Sequence, residues 1–168
     1  SIAFISLSQA IPTVAEAAEQ TAAAGEKVGI KVDVWDGKGE LTRMQQGMEN
    51  AVTQGADAMV LLGVPTELVQ GSLAKAAAAN IPVGTGLNNQ PEEGAPGQGA
   101  GENIFATSAP SYKEAGELQA CQAIVSTEGE ANVVIFGAEE LQPAGAEVEG
   151  ITTKLDECEA CEYTTNST

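Results

Sequence analysis

The chain contains no histidine. That absence removes the commonest general base and the commonest metal ligand together. Basic residues are also scarce: seven lysines and arginines stand against 24 aspartates and glutamates, for a formal charge of −17. Nucleic-acid binding depends on neutralising phosphates with cations. A chain this acidic is repelled by such a polyanion, which excludes nucleic-acid contact. The acidity reads instead as a soluble, self-repelling surface. Aromatic residues make up only 4%, so small aliphatic side chains must fill any core. No apolar run approaches the ~20 residues that cross a bilayer. No basic-then-apolar segment opens the sequence, which begins inside a strand; an export signal is expected to have been removed already or never to have existed.

What is present is enough for a core, with 43% hydrophobic residues in 168, a length that suits one domain or parts of two. The opening stretch SIAFISLSQAIPTVAEAAEQ runs from an apolar strand at 2–7 through a short polar turn to Pro12. Pro12 suits the first turn of a helix, where a missing N–H costs nothing. Small apolar residues at helical spacing then continue from Thr13 to Val28, and Gly29 stops them. IKVDVW at 30–35 alternates as a strand, Asp36-Gly37 turns the chain, and LTRMQQGMENAVTQ at 41–54 forms an amphipathic helix ended by Gly55. DAMVLLG at 57–63 is a continuous apolar run, as a central parallel strand covered on both faces requires. A third helix is expected to start at Pro65-Thr66 and run to about Ala79, followed by a strand at 81–85. Regular strand–helix alternation with short connections predicts an α/β fold with a doubly wound parallel sheet.

The rhythm breaks at GLNNQPEEGAPGQGAGE, 86–102, which reads as a long irregular loop. Beyond it come a short strand at 103–108, a helix from Ser111 to Val125, the strand NVVIFG at 132–137, a helix over roughly 143–156, and a closing strand in CEYTTNST. Several features invite a functional reading and then lose it. GQGAGE at 97–102 has the look of a dinucleotide fingerprint, yet it follows a loop and opens no helix. Asp33 and Asp36 would suit a nucleotide ribose, but no phosphate-binding glycine turn accompanies them. Glu139-Glu140 fits a solvated loop better than a cation site. Trp35, the single Trp, ends the second strand; packing on a neighbouring helix is its simpler role, walling a cleft the other.

Three blocks together resemble one family. The opening strand-turn-helix, GADAMVLLGVPTELVQGSLAKAAAANIPV (55–83) and IFATSAPSYKEAGELQA (104–120) are similar to the ribose-type, type I periplasmic sugar-binding proteins. These are substrate-binding subunits of ABC importers, similar in fold to the effector domains of lac-repressor-like regulators. The resemblance implies two similar lobes. Residues 1–108 would form the first, lacking its returning C-terminal segment, and residues 109–168 the first part of the second. The chain is therefore expected to be an N-terminal fragment, open to dimerisation through its incomplete second lobe.

In that family the first βα loop contacts a sugar held between the lobes. Pro12 matches the family proline, whereas Thr13 and Val14 fall on two aromatic positions, Ile11 and Val64 on asparagines, and Leu87-Asn88 on an Asp-Arg pair. The departures remove stacking and hydrogen-bonding capacity, which implies a ligand with fewer hydroxyls than a hexose or one held differently. The resemblance leaves Ser8, Gln9, Thr13, Asn88, Asn89 and Tyr112 as ligand-binding candidates, with Ser6 nearby and Tyr112 supplying a stacking face. Ordinary turn and cap roles compete at each Ser and Thr, and loop chemistry competes at Asn88-Asn89.

Cys158-Glu159-Ala160-Cys161 follows a helix among acidic residues, a setting that disfavours the thiolate of a redox pair. A structural zinc site lacks its other two ligands. Some family relatives carry a CxxC at this junction, which implies a Cys158–Cys161 disulfide and an oxidising compartment; Cys121 reads as a buried thiol. The functional expectation is an exported solute-binding protein that captures a small carbohydrate-like molecule for ABC permease subunits. It would perform no enzymatic chemistry and need no cofactor or metal. The setting would be periplasmic or extracellular, with lipoprotein anchoring as one option. The alternative is the effector-binding domain of a lac-repressor-like transcription regulator.

Overall fold

IAFIS at the start of the chain forms β1 (Ile2–Ser6), and four of its five residues are buried. They are buried because strands flank β1 on both sides and helices cover both faces. The computed structural model describes residues 1–87, 104–137 and 142–167, with the side chains of Gln142, Pro143 and Ser167 excepted. The chain divides into two compact units, Ser1–Ala109 and Pro110–Thr168.

In the first unit β1 is followed by α1 (Pro12–Lys27), β2 (Val32–Asp36), α2 (Leu41–Gln54), β3 (Ala58–Leu62), a 3-10 turn (Thr66–Leu68), α3 (Gln70–Ala78), β4 (Val83–Gly86) and β5 (Ile104–Ser108). All five strands are parallel, in the order β2-β1-β3-β4-β5. Ile2 stands in register with Val32 on one side and Ala58 on the other. Strand alternation then sends side chains to opposite faces. Phe4 and Leu62 meet Val14 and Ala18 of α1, while Ala3, Ile5, Met59 and Leu61 meet Met44 and Met48 of α2 and Leu73 of α3. This is the doubly wound α/β sheet that the alternation predicts.

The helix ends follow the sequence signals. Pro12 occupies the first turn of α1, and Gly55 ends α2 at φ 67, where Ala56 N–H reaches back to Ala51 O at 3.0 Å. The third helix differs from expectation. Pro65 is extended, i to i+3 bonds from Leu68 and Val69 tighten the chain into a 3-10 turn, and α3 begins only at Gln70. Val69, at φ −116 and ψ 20, breaks the helical path. The break seats Val64 and Val69 together in the core, both fully buried.

The second unit comprises α4 (Tyr112–Ser126), β6 (Asn132–Gly137), α5 (Gln142–Asp156) and β7 (Glu162–Ser167), with β6 and β7 parallel. Ser111 caps α4 by accepting from Glu114 N–H at 3.2 Å. Ala120, Ile135 and Leu155 centre its core, with Val148, Ile151 and Tyr163 packed around them. Helices α4 and α5 approach so closely that a Cβ added at Gly116 would lie 2.0 Å from Glu147 O, and one at Gly150 would lie 2.0 Å from Lys113 O. Only glycine fits either place. The Sγ atoms of Cys158 and Cys161, between α5 and β7, lie 2.04 Å apart, and both face the carbonyl oxygen of Gly129. Among the described residues no helix is long and apolar enough to cross a membrane.

Candidate functional site

In a sheet ordered β2-β1-β3-β4-β5 the connections leave β1 and β3 in opposite directions, and the crevice at their carboxyl ends is where such folds bind ligands. The backbone at that edge is unusually regular. The residue just past each of β2, β1, β3 and β4 donates to the last carbonyl of the next strand across: Gly37 to Ser6 (2.9 Å), Leu7 to Leu62 (2.8 Å), Gly63 to Gly86 (2.8 Å) and Leu87 to Ser108 (3.1 Å). The ladder thus extends one residue beyond four of the five strands. Gly63 and Leu87 then turn away at φ 68 and 54. The left-handed conformation costs a non-glycine residue roughly 1–2 kcal/mol, and Leu87 is held there by packing on the Phe4–Val14 cluster.

The first βα loop rises from this edge. Ser6 is fully buried and its hydroxyl donates to Trp35 O at 3.3 Å, a structural role. Ser8 is half-buried, and its Oγ accepts from Ala10 N–H at 3.3 Å. Gln9 is also half-buried, and its backbone N–H donates to Asp36 Oδ1 at 3.0 Å. Thr13 is exposed in the first turn of α1. That turn has no side-chain cap, since Ile11 holds the capping position. Pro12 brings no N–H, the Ile11 and Val14 N–H groups bond Ser8 O and Ile11 O, and the positive end of the helix dipole lies at the end of the loop that carries Ser8 and Gln9. The structure therefore brings Ser8, Gln9 and Thr13 together on one loop and helix start. Asn88 and Asn89 lie outside the described residues, as do Glu139, Glu140 and the 97–102 glycines. Tyr112 belongs to the second unit, half-buried at the start of α4, and burial together with the Glu147 carboxylate raises its phenol above the usual range.

Of the three apolar replacements, Ile11 is exposed beside the loop, Leu87 packs beneath α1, and Val64 is fully buried in the core. Val64 therefore presents no side chain to a ligand. Trp35 lies flat against Gly47 of α2, where an added Cβ would come within 2.5 Å of the ring, and its indole N–H donates to Arg43 O at 2.8 Å. It packs on the helix.

Asp36, which sequence reasoning weighed for a nucleotide ribose and set aside, has a different role. Its Oδ1 accepts from Gln9 N–H and from Lys38 N–H (2.9 Å), and these bonds hold its carboxyl below the ordinary range, helped by the charges of Lys38 and Arg43. The available signal was an Asp at a strand end followed by Gly-Lys-Gly. Asp33, by contrast, makes only an exposed ion pair with Lys31. Among the described residues no group of His, Cys, Asp or Glu is arranged to hold a metal ion. A cavity of about 300 Å³ in the second unit is lined by Ala120, Ala123, Val133, Ile135, Ile151 and Leu155, with Gln119 among its few polar groups.

Comparison with known proteins places this geometry. The periplasmic binding protein domain matches residues 2–167. No curated protein matches the chain. Solved structures similar to it include the periplasmic component of the arabinose ABC transporter from Shewanella sp. ANA-3, bound to α- and β-L-arabinofuranose (TM-score 0.82, 16% identity, 99% of this chain and 54% of that one). The Caulobacter myo-inositol binding protein is another (0.82, 15%, 99% and 54%). A third is an ABC transporter solute-binding protein from Mycobacterium smegmatis with bound glycerol (0.82, 19%, 98% and 54%). At these identities the likeness is one of fold. The chain spans about half the length of each.

Proposed function

The chain belongs to the periplasmic binding protein domain family, and from that premise we propose that it is part of an exported solute-binding protein that delivers a small sugar or polyol to an ABC importer. The observation that carries this reading is the clustering of Ser8, Gln9 and Thr13 on an ordered loop at the carboxyl ends of β1 and β3. Such a site binds without reacting: it offers backbone and neutral side-chain hydrogen bonds and lacks a nucleophile–base pair. Tyr112, Asn88 and Asn89 complete the proposed ligand set. The ligand carries fewer hydroxyls than a hexose or is held in a different pose, since Ile11 and Leu87 stand where the family places polar groups. Nothing in the fold or in the similar structures favours the regulator reading.

The rest follows from the same premise. The protein works in the periplasm or outside the cell with permease subunits as partners, and a lipid anchor is compatible with that setting. The short Cys158–Cys161 distance supports a disulfide there. Thiol counting on denatured, unreduced protein should find Cys121 alone; three free thiols would argue for a reducing compartment. Exposed Val134 and Phe136 support pairing of the second unit with another chain, which sedimentation would register as a dimer.

The deciding experiment is calorimetry of the full-length protein against arabinose, ribose, galactose, myo-inositol, glycerol and a nucleoside. A pentose or glycerol should bind, and Gln9→Ala should weaken it about ten-fold, as loss of a polar contact implies. Tight galactose binding indifferent to Gln9→Ala and Tyr112→Ala would overturn the site assignment.

A further inference from the structure

Residues 6 to 9 are held from one side by a single neighbouring loop. Gly37 N–H donates to Ser6 O at 2.9 Å, and Gly39 N–H to Leu7 O at 2.8 Å. Gly37 sits so close that an added Cβ would lie 2.5 Å from Ser6 O and 2.8 Å from Leu7 O. Lys38 and Gly39 follow at φ 52 and 75, folding the β2–α2 connection back along the first βα loop. The side chain that bonds from this connection to the first βα loop is that of Asp36. Its Oδ1 bridges Gln9 N–H, at 3.0 Å and 27 positions away in sequence, and Lys38 N–H, at 2.9 Å.

We propose that Asp36 is the positioning residue of the ligand edge, fixing the first βα loop in the conformation that presents Ser8 and Gln9. The proposal rests on reading that edge as the ligand site. A bond to an ionised acceptor is roughly twice as strong as a neutral one, and this one reaches the residue whose side chain is proposed to meet the ligand. Leu7 and Ser6 are secured through their own backbone carbonyls, whereas among the described residues Gln9 is secured through the carboxylate. Its phi and psi, and with them the direction of its side chain, therefore depend on Asp36. The two donated bonds keep the carboxylate ionised, in the field of Lys38 in the same loop and Arg43 on α2.

The test compares Asp36→Ala, which removes the acceptor, with Asp36→Asn, which keeps an oxygen in its place, in the full-length protein. Hydrogen exchange at the Gln9 amide should quicken about ten-fold or more in Asp36→Ala and recover most of the way in Asp36→Asn. Affinity for whichever member of the sugar and polyol panel the wild type binds should follow the same order. Equal exchange at Gln9 in the wild type and Asp36→Ala would overturn the clamp. A loosened loop with unchanged affinity would overturn its role in positioning. If Asp36→Ala does not fold, Asp36→Asn must still show faster Gln9 exchange than the wild type at an unchanged global unfolding midpoint; identical exchange again overturns the clamp. If the wild type binds nothing in the panel, the transport reading fails instead, and exchange at Gln9 alone decides whether Asp36 holds the loop.

Discussion

IAFIS in β1 and NVVIFG in β6 are similarly apolar, yet the two strands live differently. In the first unit β1 has a strand on each side and helices on both faces, and Phe4 and Ile5 are 2% and 0% exposed. In the second, among the described residues, β6 pairs with β7 alone. Its Ile135 is buried against α4 and α5, while Val134 and Phe136 on the opposite face are 52% and 74% exposed. An apolar strand predicts burial only where the topology supplies two covers; local sequence cannot say how many covers are present. The first unit therefore draws its stability from a two-faced core. The second depends on one face and on a single close helix contact.

The largest effect should come from the two-faced core. Leu61 is fully buried on β3 between α2 and α3, and Leu61→Ala should cost about 2–5 kcal/mol through lost burial and the cavity left behind. Urea unfolding followed by hydrogen exchange should show protection falling across β1, β3 and β4 while β6 and α5 keep theirs. Parallel loss in both units would mean that the two cores unfold as one.

Gly116→Ala is the matching blow to the second unit, at about 1–3 kcal/mol for overpacking. The new methyl would meet Glu147 O, a backbone atom that cannot rotate away. Exchange should rise in α4 and α5 first and leave α1 and α2 unchanged. A neutral outcome would show that α4 and α5 separate readily, so that the close approach contributes little.

Much of the architecture was legible in the sequence, for reasons that differ by element. The bounds of α2 follow from its amphipathic spacing and the Gly55 stop, and β6 from an unbroken apolar run. The third helix was misread because Pro65-Thr66 gives a valid start signal, while the demand that Val64 and Val69 both be buried is tertiary and overrides it. Gly116 and Gly150 carried no signal, because close approach is a property of two helices together. At the site, Ser8, Gln9 and Thr13 were readable from their place after the first strand. Asp36 was readable as a turn residue and a discarded ribose contact but not as a clamp, since its partner lies 27 positions away.

The two units should also separate by pH. Asp36 in the first unit is held below the ordinary carboxylate range by the Gln9 and Lys38 amides. Its contribution is present above the unfolded value and lost as acid carries the pH down through the folded one. In the second unit Tyr163 donates to Asp156 at 2.9 Å and Tyr112 is partly buried, and both phenols are raised. Their contribution is present below the unfolded value near 10 and lost as the pH rises through the folded ones. Exchange mapped against pH should loosen the Ser8–Gln9 loop first in acid and the ends of α4 and α5 first in alkali. Asp36→Asn should flatten the acid limb alone.

The smallest effect is expected at Phe136, and it tests the comparison most directly. A phenylalanine in the middle of a strand would ordinarily be a core residue, and replacing one there by a small side chain costs about 3–5 kcal/mol. Phe136 instead faces solvent and stands in register with Asn166 on β7. Its ring has little burial to lose, so Phe136→Ser should shift the unfolding free energy of the 168-residue chain by no more than about 0.5 kcal/mol, the range of ordinary surface substitutions. The same exchange should reduce self-association, because it removes the larger part of an exposed apolar pair with Val134. Phe4→Ser in β1 provides the contrast, where a buried ring gives way to an unpaired hydroxyl. Should Phe136→Ser instead cost as much as Phe4→Ser at every protein concentration, the outer face of β6 would be covered within the monomer. A cost that appears only at high concentration would mean that a second chain supplies the cover.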